Sequence, residues 1–217
     1  MEIKKNTIHV FKTARYYLSG QISPEIRDLW FVCHGYGQLA ADFIESFAPL
    51  NSPSRLIIAP EALHRFYLAG GIGRIGASWM TREEREDDIA DYIAFLDQLY
   101  SEIVHSLPEK DVKITVLGFS QGTATAYRWS LLGNSPIHRL ILWGGDVPAD
   151  PPWENNIPRL QQLEIHLVTG TKDPYLKPES LHTQSQLLIA QHINSRVTTF
   201  NGTHEICPDA LQKLTSP

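Results

Sequence analysis

Two kinds of hydrophobic pattern alternate along the chain. Continuous apolar runs rich in β-branched and aromatic residues occur at 29–33, 55–59, 114–117, 139–143, 163–168 and 196–200. Runs of this length and continuity predict strands buried on both faces, as in a parallel sheet. Between them lie stretches with a 3.6-residue period. Residues 40–47 put Phe43, Ile44 and Phe47 on one face, and 82–106 carry a stripe of Ile89, Tyr92, Ile93, Leu96, Leu99, Tyr100 and Ile103. Small residues from Thr123 open a helix that runs to Leu132 and stops at Gly133. Another helix is expected over 178–192, and a short one starts at Pro208. Pro178 suits a first helical turn. Strands alternating with helices predict an α/β architecture, a mainly parallel sheet with helices on both faces.

Two stretches depart from this alternation. Residues 7–18 hold β-rich runs broken by Lys12 and Thr13 and read as a hairpin at a sheet edge. Residues 61–80 have no clean period. Glycines at 70, 71, 73 and 76 interrupt Leu63, Phe66, Tyr67, Leu68, Ile72, Ile75, Trp79 and Met80. Long connections in compact domains are usually functional, and so many large apolar residues favour a pocket wall over a solvated loop. Thr81 and Glu84 have the spacing of a capping box for the helix that follows. The acidic run Glu83, Glu84, Glu86, Asp87 and Asp88 complements the positive helix end, so it reads as a solvated first turn and not as a metal site.

The chain has 217 residues and a net charge of −5. That length supports one domain, 1–217, with one sizeable core. No basic cluster suggests a nucleic-acid partner. No apolar run is long enough for a membrane span, and the N-terminus has no secretion-signal pattern. Cys33 and Cys207 are too few for a disulfide framework. The expected setting is cytoplasmic. No residue spacing calls for a metal or another cofactor, and no phosphate-binding or dinucleotide-binding motif occurs. A homodimer is compatible with the sequence, which leaves the oligomeric state open.

The candidate chemistry sits at strand ends. The run 114–117 leads into Gly118-Phe-Ser-Gln-Gly122 and then a helix. Strand, sharp turn and helix around G-x-S-x-G predict that Ser120 is held at the tip of a strained turn as a nucleophile. The helix N-terminus directs amide groups toward a developing oxyanion. His204 follows the last strand in a glycine-bearing loop and is the expected base. Asp173 follows the strand before it and is the expected acid, with Asp146 as runner-up. His34 is the rival base and reads instead as a residue that shapes the loop His34-Gly-Tyr-Gly37. His166 in mid-strand and His105 near a helix end fit neither role. The expected oxyanion donors are the N–H groups of Gln121 and Tyr36. Phe66, Tyr67, Trp79 and Trp143, beside Tyr36, are candidates for an apolar substrate pocket. Cys33 reads as a buried small hydrophobe, and Cys207, at a helix start, has no expected role in the chemistry.

With these motifs in view, the chain resembles the α/β-hydrolase superfamily, and within it the phospholipase/carboxylesterase branch that includes acyl-protein thioesterases. The resemblance rests on His34-Gly-Tyr-Gly37, Pro60 with Ser78-Trp79, Gly118-Phe-Ser-Gln-Gly122, Asp173 before Pro174, and Gly202-Thr-His-Glu205. It implies a metal-independent serine hydrolase that works through an acyl-enzyme, with 61–80 bordering the acyl pocket. Thr123 stands where many relatives carry Gly, and Gln38 stands where an acidic residue is common. The expected function is hydrolysis of small carboxylic esters with short or medium acyl chains. Thioesterase, lysophospholipase or peptidase activity on the same fold, and a non-catalytic binding protein, are the alternatives.

Overall fold

The computed structural model describes residues 2–108 and 111–215. A seven-stranded sheet forms its centre. In chain order the strands are β1 (Tyr16–Ser19), β2 (Asp28–Cys33), β3 (Arg55–Pro60), β6 (Lys113–Phe119), β7 (Arg139–Trp143), β8 (Glu164–Gly170) and β9 (Asn194–Phe200). Their spatial order is β1-β3-β2-β6-β7-β8-β9, and every neighbouring pair is parallel except β1 with β3. The remaining strands, β4 (His64–Ala69) and β5 (Ile72–Ser78), form a separate antiparallel hairpin.

The apolar runs are continuous because the sheet is covered on both sides. Leu29, Phe31, Cys33, Ile114, Val116, Leu140 and Leu142 pack on one face with Ile89, Tyr92, Leu96 and Ile103 of α2 (Arg85–Ser106). That face is also covered by α3 (Gln121–Leu132), whose Trp129 meets Phe31 edge-on at 5.2 Å, and by Leu181 and Leu188 of α5 (Pro178–Ala190). Trp30, Val32, Ile57, Leu117, Ile141 and Trp143 pack on the other face. There they meet Phe43 of α1 (Ala40–Glu45) and Leu211 of α6 (Pro208–Lys213). Alternate residues of one strand thus serve opposite cores. The short α4 (Ile157–Leu160) leads into β8.

Three sequence expectations are corrected. Residues 7–18 form no hairpin: only β1 is a strand, and Ile8, Val10 and Phe11 are exposed. β1 finds its partner in β3, pairing Tyr16 with Pro60, and not in the preceding segment. The stretch 61–80 is not an irregular connection but the β4–β5 hairpin, turned at Gly70 and Gly71. Its glycines hid the strand pattern because they leave no side chain to alternate. The Thr81–Glu84 capping box does not form. Glu84 precedes α2 in a left-handed conformation, φ 50°, without a side-chain cap. Its carboxylate pairs with Lys5, while the Thr81 hydroxyl donates to the Glu83 carbonyl.

Strand registers bring the carboxyl ends into line. Cys33 pairs with Gly118, Phe119 with Trp143, Trp143 with Val168, and Gly170 with Phe200. The loops that follow these strands therefore lie side by side, the usual place for chemistry in such sheets. The tightest joint is where α3 leaves β6. A Cβ on Gly118 would lie 2.1 Å from the Gly122 carbonyl oxygen, and one on Gly122 would lie 2.2 Å from that of Cys33. Backbone fills both positions, so no rotamer change relieves the clash. Gly122→Ala is expected to cost about 3 kcal/mol, the upper end for overpacking, or roughly 6–12 °C in Tm for a chain of this size. A thermal melt within about 2 °C of wild type would contradict this.

Candidate active site

Ser120 lies between the end of β6 and the start of α3 with φ 54° and ψ −118°. A side chain at positive φ costs of order 1–3 kcal/mol and persists only where its surroundings over-determine it. Here its N–H donates to the Trp143 carbonyl at 2.9 Å, extending the β6–β7 ladder by one residue. Its carbonyl accepts from the N–H of Thr123 at 3.0 Å and from the Thr123 hydroxyl at 2.7 Å. Thr123 thus ties the strained residue to its helix.

Asp173 and His204 come from loops after β8 and β9, 31 positions apart in sequence, and meet with His204 Nδ1 2.8 Å from Asp173 Oδ2. The Asp173 side chain is 1% exposed. Its second oxygen accepts from the N–H groups of Tyr175 at 2.8 Å and Leu176 at 3.3 Å. The turn-forming role that Asp-Pro suggests and the contact with histidine are therefore both present. A carboxylate against Nδ1 makes that nitrogen the donor and leaves Nε2 with the free lone pair. The imidazole packs between two rings, Phe119 at 4.8 Å and Tyr175, edge-on, at 4.9 Å. Gly144 backs it, since a Cβ there would lie 2.9 Å from His204 Cε1. The Ser120 backbone bonds to Trp143 and the His204 ring rests on Gly144, so the two residues meet consecutive positions of one segment. Among the described residues the Ser120 hydroxyl has no hydrogen-bond partner. Such contacts often tighten only when substrate binds. Asp146 is exposed, and among the described residues the His204 ring bonds to Asp173.

The loop after β2 approaches Ser120 from the other side. A Cβ on Gly35 would stand 3.2 Å from Ser120 Cβ. Gln38 braces the loop by accepting from the Gly35 N–H at 2.7 Å. Among the described residues the N–H groups of Tyr36 and Gln121 donate to no protein acceptor.

Comparison with known proteins fits this geometry. The profile of the phospholipase/carboxylesterase family matches residues 25–216. The chain belongs to this family. It is therefore a carboxylic-ester hydrolase. Solved structures with the same fold include esterase PE8, 21% identical over 94% of this chain and 97% of that one, TM-score 0.69. Zea mays acyl-protein thioesterase 2 is 18% identical over 93% and 96%, TM-score 0.72. The Bacillus cereus carboxylesterase is 14% identical over 93% and 91%, TM-score 0.65. No curated protein matches the chain.

In this family member the expected pocket residues separate into two groups. Trp79 and Trp143 are each 1% exposed and cannot serve as open pocket walls. Their indole N–H groups donate inward, Trp79 to the His34 carbonyl at 2.9 Å and Trp143 to the Glu205 carbonyl at 2.8 Å, which is why both rings are buried. Phe66 and Tyr67 line a cavity of about 250 Å³ with Arg15, Leu39, Arg65 and Ile75. Tyr36, 62% exposed, packs against Phe66 with ring centroids 5.1 Å apart and planes tilted by 33°. The sequence reading missed Phe119 and Tyr175, which hold the imidazole, and Ser78 and Met80, which hold Gln121. Adjacency to Ser120 and Asp173 was the only signal for the first two. Among the described residues no cluster of His, Cys, Asp or Glu could hold a metal, and no helix is long and apolar enough to cross a membrane.

His34 is a structural residue. It is fully buried, with Nδ1 2.8 Å from the Gly35 carbonyl and Nε2 accepting from the Ala62 N–H at 3.1 Å. Both nitrogens are engaged in the neutral form. Burial pushes its pKa below the ordinary 6.5, and burial does the same to His166. Burial likewise raises the Cys33 thiol, which is enclosed in the core. An unfolded chain takes up protons near pH 6.5 that these folded histidines refuse. Their stabilising contribution is therefore complete above 6.5 and is lost as pH falls toward the folded values. Urea unfolding of wild type should show lower stability at about pH 5 than at about pH 7, with a smaller difference in His34→Gln. Equal pH dependence in the two proteins would contradict the assignment.

Proposed function

We propose that Ser120, His204 and Asp173 form the catalytic triad of this carboxylic-ester hydrolase, within one domain spanning 1–217. The observation that carries the reading is the buried Asp173 carboxylate against His204 Nδ1, beside a serine at positive φ. Ser120 Oγ attacks the acyl carbon while His204 Nε2 takes its proton. The oxyanion accepts hydrogen bonds from the N–H groups of Gln121 and Tyr36, each worth about 10²–10³ in rate for such donors. His204 returns the proton to the departing alcohol, leaving an acyl-enzyme. Water, deprotonated by the same imidazole, then attacks the acyl carbon; the bond to Ser120 Oγ breaks as the imidazolium returns that proton to it, and the acid leaves. Asp173 holds the tautomer and stabilises the imidazolium. No metal or cofactor enters this scheme.

Short or medium acyl chains are the substrates expected, with the cavity of about 250 Å³ lined by Phe66, Tyr67, Leu39, Ile75, Arg15 and Arg65 as the candidate acyl site. The free thiols Cys33 and Cys207 are in keeping with the reducing conditions of the cytoplasm. The test is fluorophosphonate labelling of wild type and Ser120→Ala, with p-nitrophenyl esters of increasing chain length. Labelling and turnover are expected in wild type and absent from the variant, with an optimum at short or medium chains. A folded wild type that neither labels nor turns over would favour the binding-protein alternative, and undiminished turnover by Ser120→Ala would exclude the serine mechanism. Asp173→Asn is expected to lower kcat by about 10⁴, the cost of the wrong histidine tautomer. A loss under tenfold would remove Asp173 from the triad.

A further inference from the structure

The end of β5 touches both sides of the proposed oxyanion site. On one side it pairs with the loop after β2. The Gly37 N–H donates to the Ala77 carbonyl at 2.8 Å, and the Ala77 N–H donates to the Gln38 carbonyl at 3.1 Å. The loop lies directly on the strand: a Cβ on Gly76 would stand 2.4 Å from the Gly37 carbonyl oxygen. On the other side the strand end is held by the carboxamide of Gln121. Nε2 donates to Ser78 Oγ and to the Met80 carbonyl, both at 3.1 Å, and Oε1 accepts from the Trp79 N–H at 3.1 Å. Ser78 Oγ donates in turn to the Met80 carbonyl at 2.8 Å. Trp79 also donates to the His34 carbonyl at 2.9 Å, closing the circuit back to the loop.

We propose that the Gln121 side chain is a positioning residue, and that Ala77–Met80 act through it as a splint fixing the Tyr36 N–H relative to the Gln121 N–H. The proposal rests on the oxyanion assignment above. The two donors come from loops after different strands, β2 and β6, and no backbone hydrogen bond joins Tyr36 to Gln121. β5 contacts the loop one residue beyond Tyr36, and it holds the very residue that carries the second donor. Geometry in such sites must be right to a fraction of an ångström, since a 1 Å misplacement can cost 10²-fold in rate. One side chain therefore supplies a backbone donor and also the tie that keeps that donor in register with its partner. It also makes the β4–β5 hairpin, which carries Phe66 and Tyr67, part of the catalytic frame.

The test uses the full chain and p-nitrophenyl esters. Gln121→Ala keeps both backbone donors but removes the tie. It should lower kcat by roughly 10–100-fold, less than loss of a whole donor, with KM changed by less than about threefold. Affinity for an alkyl trifluoromethyl ketone, whose hemiketal carries the oxyanion, should fall by the same factor as kcat/KM. Gln121→Glu can accept from Trp79 but cannot donate to Met80, so it should lose activity as the alanine variant does. Ser78→Ala removes one contact and leaves two, so it should give a smaller loss, non-additive with Gln121→Ala in a double-mutant cycle. Counting active sites by fluorophosphonate burst corrects every rate for misfolded protein. A Gln121→Ala enzyme with kcat and ketone affinity within twofold of wild type would overturn the splint. So would a loss confined to KM, or strict additivity with Ser78→Ala. If Gln121→Ala does not fold, Ser78→Ala decides: unchanged kcat and ketone affinity would overturn the proposal. Failure of the serine mechanism itself would show differently, as wild type that does not label or Ser120→Ala that still turns over.

Discussion

The passage of α3 across the ends of β6 and β2 is the constraint on which the site depends. Helix and strand meet there backbone to backbone at Gly118 and Gly122, with no volume for a side chain at either position. That contact forces the chain to turn within the residues between them, and Ser120 is the residue that absorbs the turn at φ 54°. The strain is held by bonds on both sides, to Trp143 behind and Thr123 ahead. A serine in that position stands clear of the sheet, at the head of a helix whose first N–H groups have no intrahelical acceptor.

The remaining parts reach Ser120 because the parallel strands end level with one another. The pairs Cys33–Gly118, Phe119–Trp143 and Gly170–Phe200 set five loops along one edge. Within that edge aromatic rings pack against the imidazole, whose side chain remains 18% exposed. Phe119 touches His204 and also stacks on Phe43, so the ring beside the imidazole belongs to the core as well as to the site. A charge developing on His204 would be felt strongly by Asp173, because that carboxylate is buried and lies 2.8 Å from the ring.

The β4–β5 hairpin shows how a strand pair outside the main sheet can become part of the machinery. It forms no ladder with the main sheet, yet Ala77 packs in one of that sheet's cores, and its last residues bond to the loop after β2 and to the side chain after Ser120. The proposed splint gives these contacts a purpose beyond holding the hairpin down. His34, at the centre of the same region, contributes by satisfying the Ala62 N–H and the Gly35 carbonyl, as expected of a buried neutral imidazole.

Much of this was legible in the sequence because it depends on short-range rules. Buried strands had to be continuous and apolar, the turn at Ser120 needed flanking glycines, and the order Ser120, Asp173, His204 followed strand ends. The hairpin at 64–78 was not legible, because glycine removes the alternation that marks a strand. The failed capping box at Thr81 was hidden because Asp88 and Lys5 compete for its partners. Trp79 and Trp143 were misread as pocket walls because hydrophobicity does not say whether a ring faces a cavity or the core. The sequence by itself determined the alternation of strands and helices and the residues able to do the chemistry. Tertiary structure alone decided which groups meet: Asp173 with His204, Gln121 with Ser78, Trp79 and Met80, and Tyr36 with Phe66. These contacts join residues distant along the chain, and their formation depends on strand register and helix approach, which no local pattern encodes.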